Sequence, residues 1–185
     1  VAIVRNGNNF TLYQNGVSVG TATSSSAIQY TSGQPLRTNI WDNTGSYLNG
    51  YLSNIRIVTG TAIYTSTFTP PTAPLTAVAN TSLLICQSAT FVDNSTNNFA
   101  ITVGGTTVKP IRFNPFTVSY STQQTYSSTV LGGSMYFDGN GDYLVTPSST
   151  TLGLGTNNFT VEFWAFNGTQ PSTRTCYVGS DGGFV

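Results

Sequence analysis

The chain contains few side chains that could carry out catalysis. Histidine is absent, and of the six carboxylates Glu162 is the single glutamate. The absence of histidine removes the Ser-His-Asp and Cys-His arrangements and the commonest zinc ligand. Hydrolases of glycosidic bonds use paired carboxylates instead, but the acidic pattern that such enzymes place on one strand face is missing around Glu162. We therefore expect a protein without enzymatic activity, with Glu162 facing solvent or paired with an arginine.

Asp138 and Asp142 lie in a short stretch, Asp-Gly-Asn-Gly-Asp, whose composition resembles that of a calcium-binding loop. The later glutamate and the full spacing of an EF-hand are missing. The same residues suit a hairpin turn, in which glycine adopts positive φ and aspartate binds backbone amides. We favour the turn and keep Asp138 and Asp142 as candidate calcium ligands; no other cofactor is expected.

A second group of side chains suits carbohydrate binding. An aromatic ring can pack on the CH face of a sugar while Asn and Asp side chains bind its hydroxyls. Trp41, Asp42, Asn43 and Tyr47 supply both within one turn region. The alternative, slightly favoured by the sequence, is that Trp41 is an edge residue that packs on the linker and that Tyr51 lies in the core. Trp164 lies in the middle of a strand pattern and is expected in the core.

Composition indicates that β-strands position these residues. The 185-residue chain has six basic and six acidic residues, so its net charge is zero. Nucleic-acid binding needs a clustered basic excess and is not expected. Ser, Thr and Asn are abundant, which is typical of short strands joined by tight turns, and 11 Phe, 10 Tyr and 2 Trp argue against disorder. No apolar run is long enough to cross a bilayer, so we expect no membrane insertion.

The pattern along the chain predicts an all-β fold, an antiparallel β-sandwich with little helix. Residues 1–69 alternate apolar and polar positions between turns, and Asn15-Gly16 is a strong hairpin signal. Three prolines in residues 69–74 exclude a central strand and indicate a linker or an extended edge segment. A new alternating pattern starts at residue 134. We predict three parts, residues 1–74, 75–133 (irregular, β-rich, with a linker) and 134–185.

Several motifs together resemble the laminin-G-like domain of the concanavalin-A-like lectin class. The opening of that domain is similar to residues 137–144 (FDGNGDYL), 152–155 (LGLG) and 159–164 (FTVEFW). Its second half is similar to residues 2–7 (AIVRNG) and 12–17 (LYQNGV), and its closing strand to residues 47–57 (YLNGYLSNIRI). Residues 60–65 (GTAIYT) and 70–74 (PPTAP) resemble the tail of such domains in bacteriophage structural proteins.

The resemblance implies a jelly-roll sandwich, but its parts stand in reversed order. Residues 134–185 resemble the N-terminal part of the domain, and residues 1–74 resemble its C-terminal part. The chain is then a segment of a tandem array that holds the end of one repeat and the start of the next, a circular permutant, or a subunit completed by its neighbours. The segment of a tandem array is the simplest interpretation. Pairing between the two parts, or with another chain, is expected in each case because half-sandwiches expose strand edges.

The resemblance also implies a function outside the cell or on a virion. We expect a non-enzymatic attachment module, such as part of a phage tail fibre or a repeat adhesin, that binds glycans or a host-cell surface and associates with itself or neighbouring repeats. The alternative is a purely structural subunit assembled by strand pairing between chains, and a glycan hydrolase is a remote third. Cys86 and Cys176 allow at most one disulfide.

Overall fold

The computed structural model describes residues 1–29, 34–38, 47–116, 132–168 and 176–180. These residues form antiparallel strands and one 3-10 turn at Thr150–Leu152, which confirms the all-β prediction. No helix in the described ranges is long and apolar enough to span a membrane. The strands are β1 (Ala2–Asn6), β2 (Asn9–Gln14), β3 (Val17–Thr23), β4 (Leu36–Thr38), β5 (Asn49–Thr59), β6 (Thr81–Ile85), β7 (Thr102–Gly104), β8 (Lys109–Ile111), β9 (Ser134–Asp138), β10 (Tyr143–Val145), β11 (Phe159–Asn167) and β12 (Val178–Ser180).

The strands form two sheets of a β-sandwich. The larger sheet has eight strands in the order β3-β2-β1-β11-β5-β9-β8, with β6 also paired to β5. The smaller sheet has the order β12-β4-β10-β7. Strand β5 is long enough to pair with β9 through its first half and with β6 through its second. The jelly-roll connection stays a prediction.

Strands from the two ends of the sequence lie beside each other. β1 pairs with β11, and β11 pairs in turn with β5, so strands from the two predicted parts, 1–74 and 134–185, alternate within the larger sheet. Residues 75–133 contribute β6, β7 and β8 to the two sheets. The predicted pairing between the two parts therefore takes place within one chain. The domain boundaries and the tandem array stay predictions.

The main core fills the space between the two sheets. Apolar side chains alternate along the strands, so one face of each sheet buries them away from water. Phe137, Leu52 and Leu48 are fully buried on the side of the larger sheet, and Leu144 lies opposite them on the smaller one. The other buried members of this cluster are Ile3, Leu36, Ile55, Ile57, Leu83, Ile85, Cys86, Met135, Leu152, Leu154, Phe159, Val161, Phe163 and Val178.

A β-bulge at Asn54 divides β5 into two halves. Glu162 lies opposite Arg56 but Trp164 lies opposite Ser53, so β5 has one extra residue in this interval. Asn54 takes the left-handed backbone conformation (φ 54°), which Asn tolerates better than most residues. Its side-chain oxygen accepts a hydrogen bond from the Leu75 amide at 2.7 Å. Because of the extra residue, Leu52 before the bulge and Ile55 after it both point into the core.

Residues 60–76, which contain Pro70, Pro71 and Pro74, pack against the outer face of the larger sheet. The Ile63 amide donates to the Thr160 hydroxyl at 2.8 Å, and the Phe68 amide donates to the Gly16 carbonyl at 3.0 Å. The rings of Tyr64 and Phe68 stack with centroids 3.6 Å apart. The segment thus covers one half of the outer face, over β1 and the first part of β11, and the other half is left uncovered by it.

Candidate functional site

The glycan site predicted from sequence falls largely outside the described residues. Trp41, Asp42 and Asn43 belong to the part of the chain that is not described, and Tyr47 is described as half-buried. The grouping of these four side chains stays a prediction.

The candidate calcium ligands lie in the turn between β9 and β10. Asp142 is fully buried, and its carboxylate accepts hydrogen bonds from the Thr107 hydroxyl at 2.6 Å and the Asp138 amide at 3.2 Å. The Asp138 carboxylate accepts one from the Asn140 amide at 2.8 Å. Hydrogen bonding, chiefly from Thr107, lowers the pKa of Asp138. These bonds fit the favoured turn interpretation.

Two further observations bear on whether this segment is a plain turn or a metal site. Gly139 and Gly141 both have positive φ, 85° and 77°, as the turn interpretation requires. Within the described ranges, no group of three or more His, Cys, Asp or Glu side chains is arranged to hold a metal ion. Calcium binding by Asp138 and Asp142 stays a prediction.

Glu162 is buried and paired with an arginine, one of the two alternatives that the sequence left open. Its carboxylate accepts from Nε of Arg56 at 2.7 Å and from the Tyr64 hydroxyl at 2.8 Å. Arg56 also donates to the Thr76 carbonyl at 2.8 Å. Residues 60–76 cover Arg56 and leave it 5% exposed. The network holds this segment on the sheet.

The uncovered half of the outer face carries a group of aromatic side chains. Phe166 on β11 lies opposite Tyr51 on β5, and Tyr51 lies opposite Tyr136 on β9. The ring centroids are 6.0 Å apart in the first pair and 5.2 Å apart in the second. Phe113, which follows β8, packs on Tyr51 at 5.2 Å. With Trp164 these residues form what we call the aromatic patch: Tyr51, Phe113, Tyr136, Trp164 and Phe166.

The aromatic patch is open to solvent. Phe113 is 54% exposed and Phe166 is 57% exposed, and Trp164 is partly exposed. A shallow groove of about 150 Å³ runs between these three rings. That volume is below the range of roughly 300–1,000 Å³ of pockets that enclose a drug-sized ligand. The groove therefore suits one ring-sized group of a ligand that otherwise rests on the surface.

Polar side chains border the aromatic patch. Asn49 lies opposite Asp138, and these residues are two positions along their strands from Tyr51 and Tyr136, so all four share one face. Lys109 lies opposite Tyr136 on the last strand of the sheet and is exposed. The surface thus combines flat apolar rings with an amide, a carboxylate and an ammonium group.

The sequence indicated only part of this site. Trp164 was expected in the core, and this is wrong: it lines the groove, with its ring 5.4 Å from that of Phe116 in an edge-on contact. The alternation along β11 places Trp164 and Phe166 on one face of the sheet. Phe113 was missed because it follows an irregular stretch. Tyr136 and Tyr51 become neighbours only through strand pairing.

A second groove is larger and more polar. It has a volume of about 410 Å³ and lies between residues 74–77 and the loop after β6. Two of its polar side chains are engaged with the protein itself: the Asn94 amide donates to Gln87 at 2.7 Å, and Gln87 donates to the Leu75 carbonyl. The groove therefore offers a ligand fewer polar contacts than its size suggests.

Comparison with known proteins gives no relative from which a role could be transferred. No family model matches the sequence, no curated protein matches it, and no solved structure matches the fold.

Proposed function

We propose that this protein is a non-enzymatic, carbohydrate-binding attachment module, and that the aromatic patch is its sugar-binding surface. The observation that carries the proposal is the row of rings Phe166, Tyr51 and Tyr136 across three adjacent strands, beside Asn49 and Asp138. We place the module in a virion, as in a phage fibre, or in a cell-surface appendage. That location follows from the resemblance of the sequence motifs to laminin-G-like domains of such proteins.

The chemistry of the patch suits a sugar. One face of a pyranose presents C–H groups that pack on an aromatic ring, and its hydroxyls need donors and acceptors at the edge of that ring. Asn49 supplies both a donor and an acceptor, and Asp138 supplies an acceptor. Neighbouring strands lie roughly 4.8 Å apart, which is close to the length of one sugar unit. A linear glycan can therefore place successive sugars over successive strands.

The patch is held in place before a ligand arrives. Tyr51 contacts Phe113, Tyr136 and Phe166, so its ring has little freedom to rotate. Four of the five rings stand on strands in the middle of the larger sheet, β5, β9 and β11. Rings that are already ordered lose little conformational entropy on binding. An open surface of this kind binds weakly per site, and repeated copies on an appendage raise the overall strength of attachment.

A glycan array tests the proposal with the full chain. The wild type is expected to bind a set of oligosaccharides, and Phe166→Ala is expected to weaken binding about tenfold by removing a stacking ring. Val17→Ala is the matched control, because Val17 is 54% exposed and lies on β3, away from the patch. Trp41→Ala tests the turn that the sequence predicted.

The outcomes of the array separate the two surfaces. Binding that Phe166→Ala reduces and Trp41→Ala leaves intact supports the aromatic patch. Binding that only Trp41→Ala reduces moves the site to the turn predicted from sequence. If no oligosaccharide binds, carbohydrate binding by this chain is refuted.

A second candidate function, a structural subunit assembled by strand pairing, is favoured by the edge of β3, which pairs with β2 and with no other strand among the described residues. All seven residues of β3 are exposed, and none of them is charged or proline. Charged residues and proline commonly protect sheet edges, and the opposite edge strand of this sheet, β8, carries Lys109 and Pro110. A bulge at Val19 interrupts β3 between residues 17–18 and residues 20–23, both of which pair with β2.

Light scattering of the purified chain tests this second candidate. Assembly into oligomers that Thr21→Lys disperses favours the structural subunit, because the added charge would be placed in the paired edge. A monomer whose size is unchanged by Thr21→Lys rules out assembly through β3 and leaves the attachment module.

A further inference from the structure

Lys109 is distinctive among the basic residues of this chain. It is the only lysine in the sequence, and it is exposed on the last strand of the larger sheet. Arg5 and Arg56 are buried, and their guanidinium groups are engaged by backbone carbonyls and by Glu162. Lys109 forms no ion pair within the part of the chain that the structure describes. An unpaired ammonium group is thus available beside the aromatic patch.

The position of Lys109 extends the aromatic row. Lys109 lies opposite Tyr136, Tyr136 lies opposite Tyr51, and Tyr51 lies opposite Phe166. Side chains that are directly opposite on one sheet face have their Cβ atoms about 5 Å apart. A ligand that lies across the rings from Phe166 toward Tyr136 therefore reaches the ammonium group of Lys109 at its end.

We infer that the aromatic patch selects glycans that carry a negative charge, with a sugar carboxylate or sulfate bound by Lys109. This inference rests on the proposed function, and it names the class of glycan. An ammonium group binds such anions through charge-assisted hydrogen bonds, which are stronger than those between neutral groups. In a chain with only six basic residues, this one stands where a ligand on the rings would end.

Asp138 offers acceptors to the hydroxyls of the bound glycan. It lies on the same face as Tyr136, two residues further along β9, and so stands diagonally from Lys109. An ionised carboxylate accepts hydrogen bonds from sugar hydroxyls. Neutral hydroxyls of the ligand therefore face Asn49 and Asp138, and its charged group faces Lys109.

Lys109 has an alternative role that needs no ligand. With Pro110 it protects the free edge of β8 from pairing with another sheet. In that case the replacement of Lys109 by a neutral residue promotes association of the protein and leaves glycan binding unchanged. The two roles thus make different predictions for the same variant.

The test uses pairs of oligosaccharides that differ only in charge: acidic oligosaccharides and their carboxyl-reduced or desulfated forms. Binding is measured for the full-length wild type, Lys109→Gln and Lys109→Arg. We expect the acidic member of a pair to bind more tightly to the wild type, and Lys109→Gln to weaken it about tenfold. Lys109→Arg should keep most of the preference, and added salt should reduce it.

The outcomes distinguish this inference from the proposed function. If neutral and acidic members bind equally to the wild type, and Phe166→Ala weakens both, the patch binds sugars but the selection for charge is refuted. If neither member of any pair binds, both proposals fail. If Lys109→Gln leaves the acidic preference unchanged and the variant aggregates in light scattering, Lys109 protects the edge and the inference is overturned.

Discussion

The buried pair of Arg56 and Glu162 allows a quantitative test of how the larger sheet is held together. The two residues lie opposite each other on β5 and β11 and are 5% and 2% exposed. Replacing Glu162 with Leu leaves the Arg56 guanidinium buried without a carboxylate, with the neutral Thr76 carbonyl and Tyr64 hydroxyl beside it. Removing one member of a buried ion pair costs about 3–5 kcal/mol, so we expect Glu162→Leu to lower the free energy of unfolding by at least about 3 kcal/mol.

A double variant provides the internal control. When both charges are replaced by apolar groups, no unpaired charge stays buried, and such replacements are often close to neutral. Arg56→Met combined with Glu162→Leu still leaves the Tyr64 hydroxyl without its acceptor, which costs about 1–2 kcal/mol. The double variant is therefore expected to be more stable than Glu162→Leu alone.

Urea unfolding, followed by tryptophan fluorescence, measures these differences. With a urea dependence of about 1–3 kcal/mol per M, a loss of 3 kcal/mol moves the midpoint down by roughly 1–3 M. Val17→Ala, an exposed apolar change on β3, should leave the midpoint in place. The account of this pair would be refuted if Glu162→Leu lowered the free energy of unfolding by less than about 1 kcal/mol. It would also be refuted if the double variant lost as much free energy of unfolding as the two single variants added together.

Three further predictions concern the turn at Gly16 and groups with raised pKa values. Gly16→Ala should lower stability by more than about 1 kcal/mol in thermal unfolding, because Gly16 has φ 79° and a Cβ there would overlap the Phe68 carbonyl; unchanged stability would contradict this packing. Burial raises the pKa of Cys86, and that of Cys176 to about 11, so a thiol reagent at pH 8 should modify neither until the protein unfolds, and fast labelling would show that one is accessible. Burial, and then the nearby Glu162 carboxylate, raise the pKa of Tyr64 above its ordinary value of 10.0. Protonated Tyr64 therefore stabilises the folded protein fully below pH 10.0, and this stabilisation should be lost as the pH rises through the higher pKa of the folded state. Tyr64→Phe should reduce this loss of stability at alkaline pH, as measured by denaturation curves at a series of pH values.

Local signals in the sequence predicted much of the fold because they act over a few residues. Asn15 and Gly16, with φ of 51° and 79°, form the two-residue turn that joins β2 to β3, as the Asn-Gly pair indicates. The bulge at Asn54 had no such signal. An alternating pattern that continues through β5 buries either Leu52 or Ile55, and the extra residue at the bulge allows both to be buried.

Strand pairing over long distances in the sequence explains why the site was predicted only in part. Phe166 and Tyr51 are separated by more than a hundred residues, and nothing in either segment indicates that they lie opposite each other. Whether an outward-facing residue is covered depends on a third segment: residues 60–76 cover Glu162 more fully than Trp164. The two residues stand two positions apart on one face of β11, yet only one of them is buried.

Saturation-transfer NMR on the full chain, with an oligosaccharide that binds on the array, tests the central claim most directly. Irradiation of the aromatic protein resonances is expected to transfer saturation to the C–H protons on one face of the sugar. Phe166→Ala should abolish most of this transfer, and Val17→Ala should preserve it. Transfer that survives Phe166→Ala unchanged, or a bound sugar that receives no saturation from aromatic protons, would contradict the assignment of the aromatic patch as the sugar-binding surface.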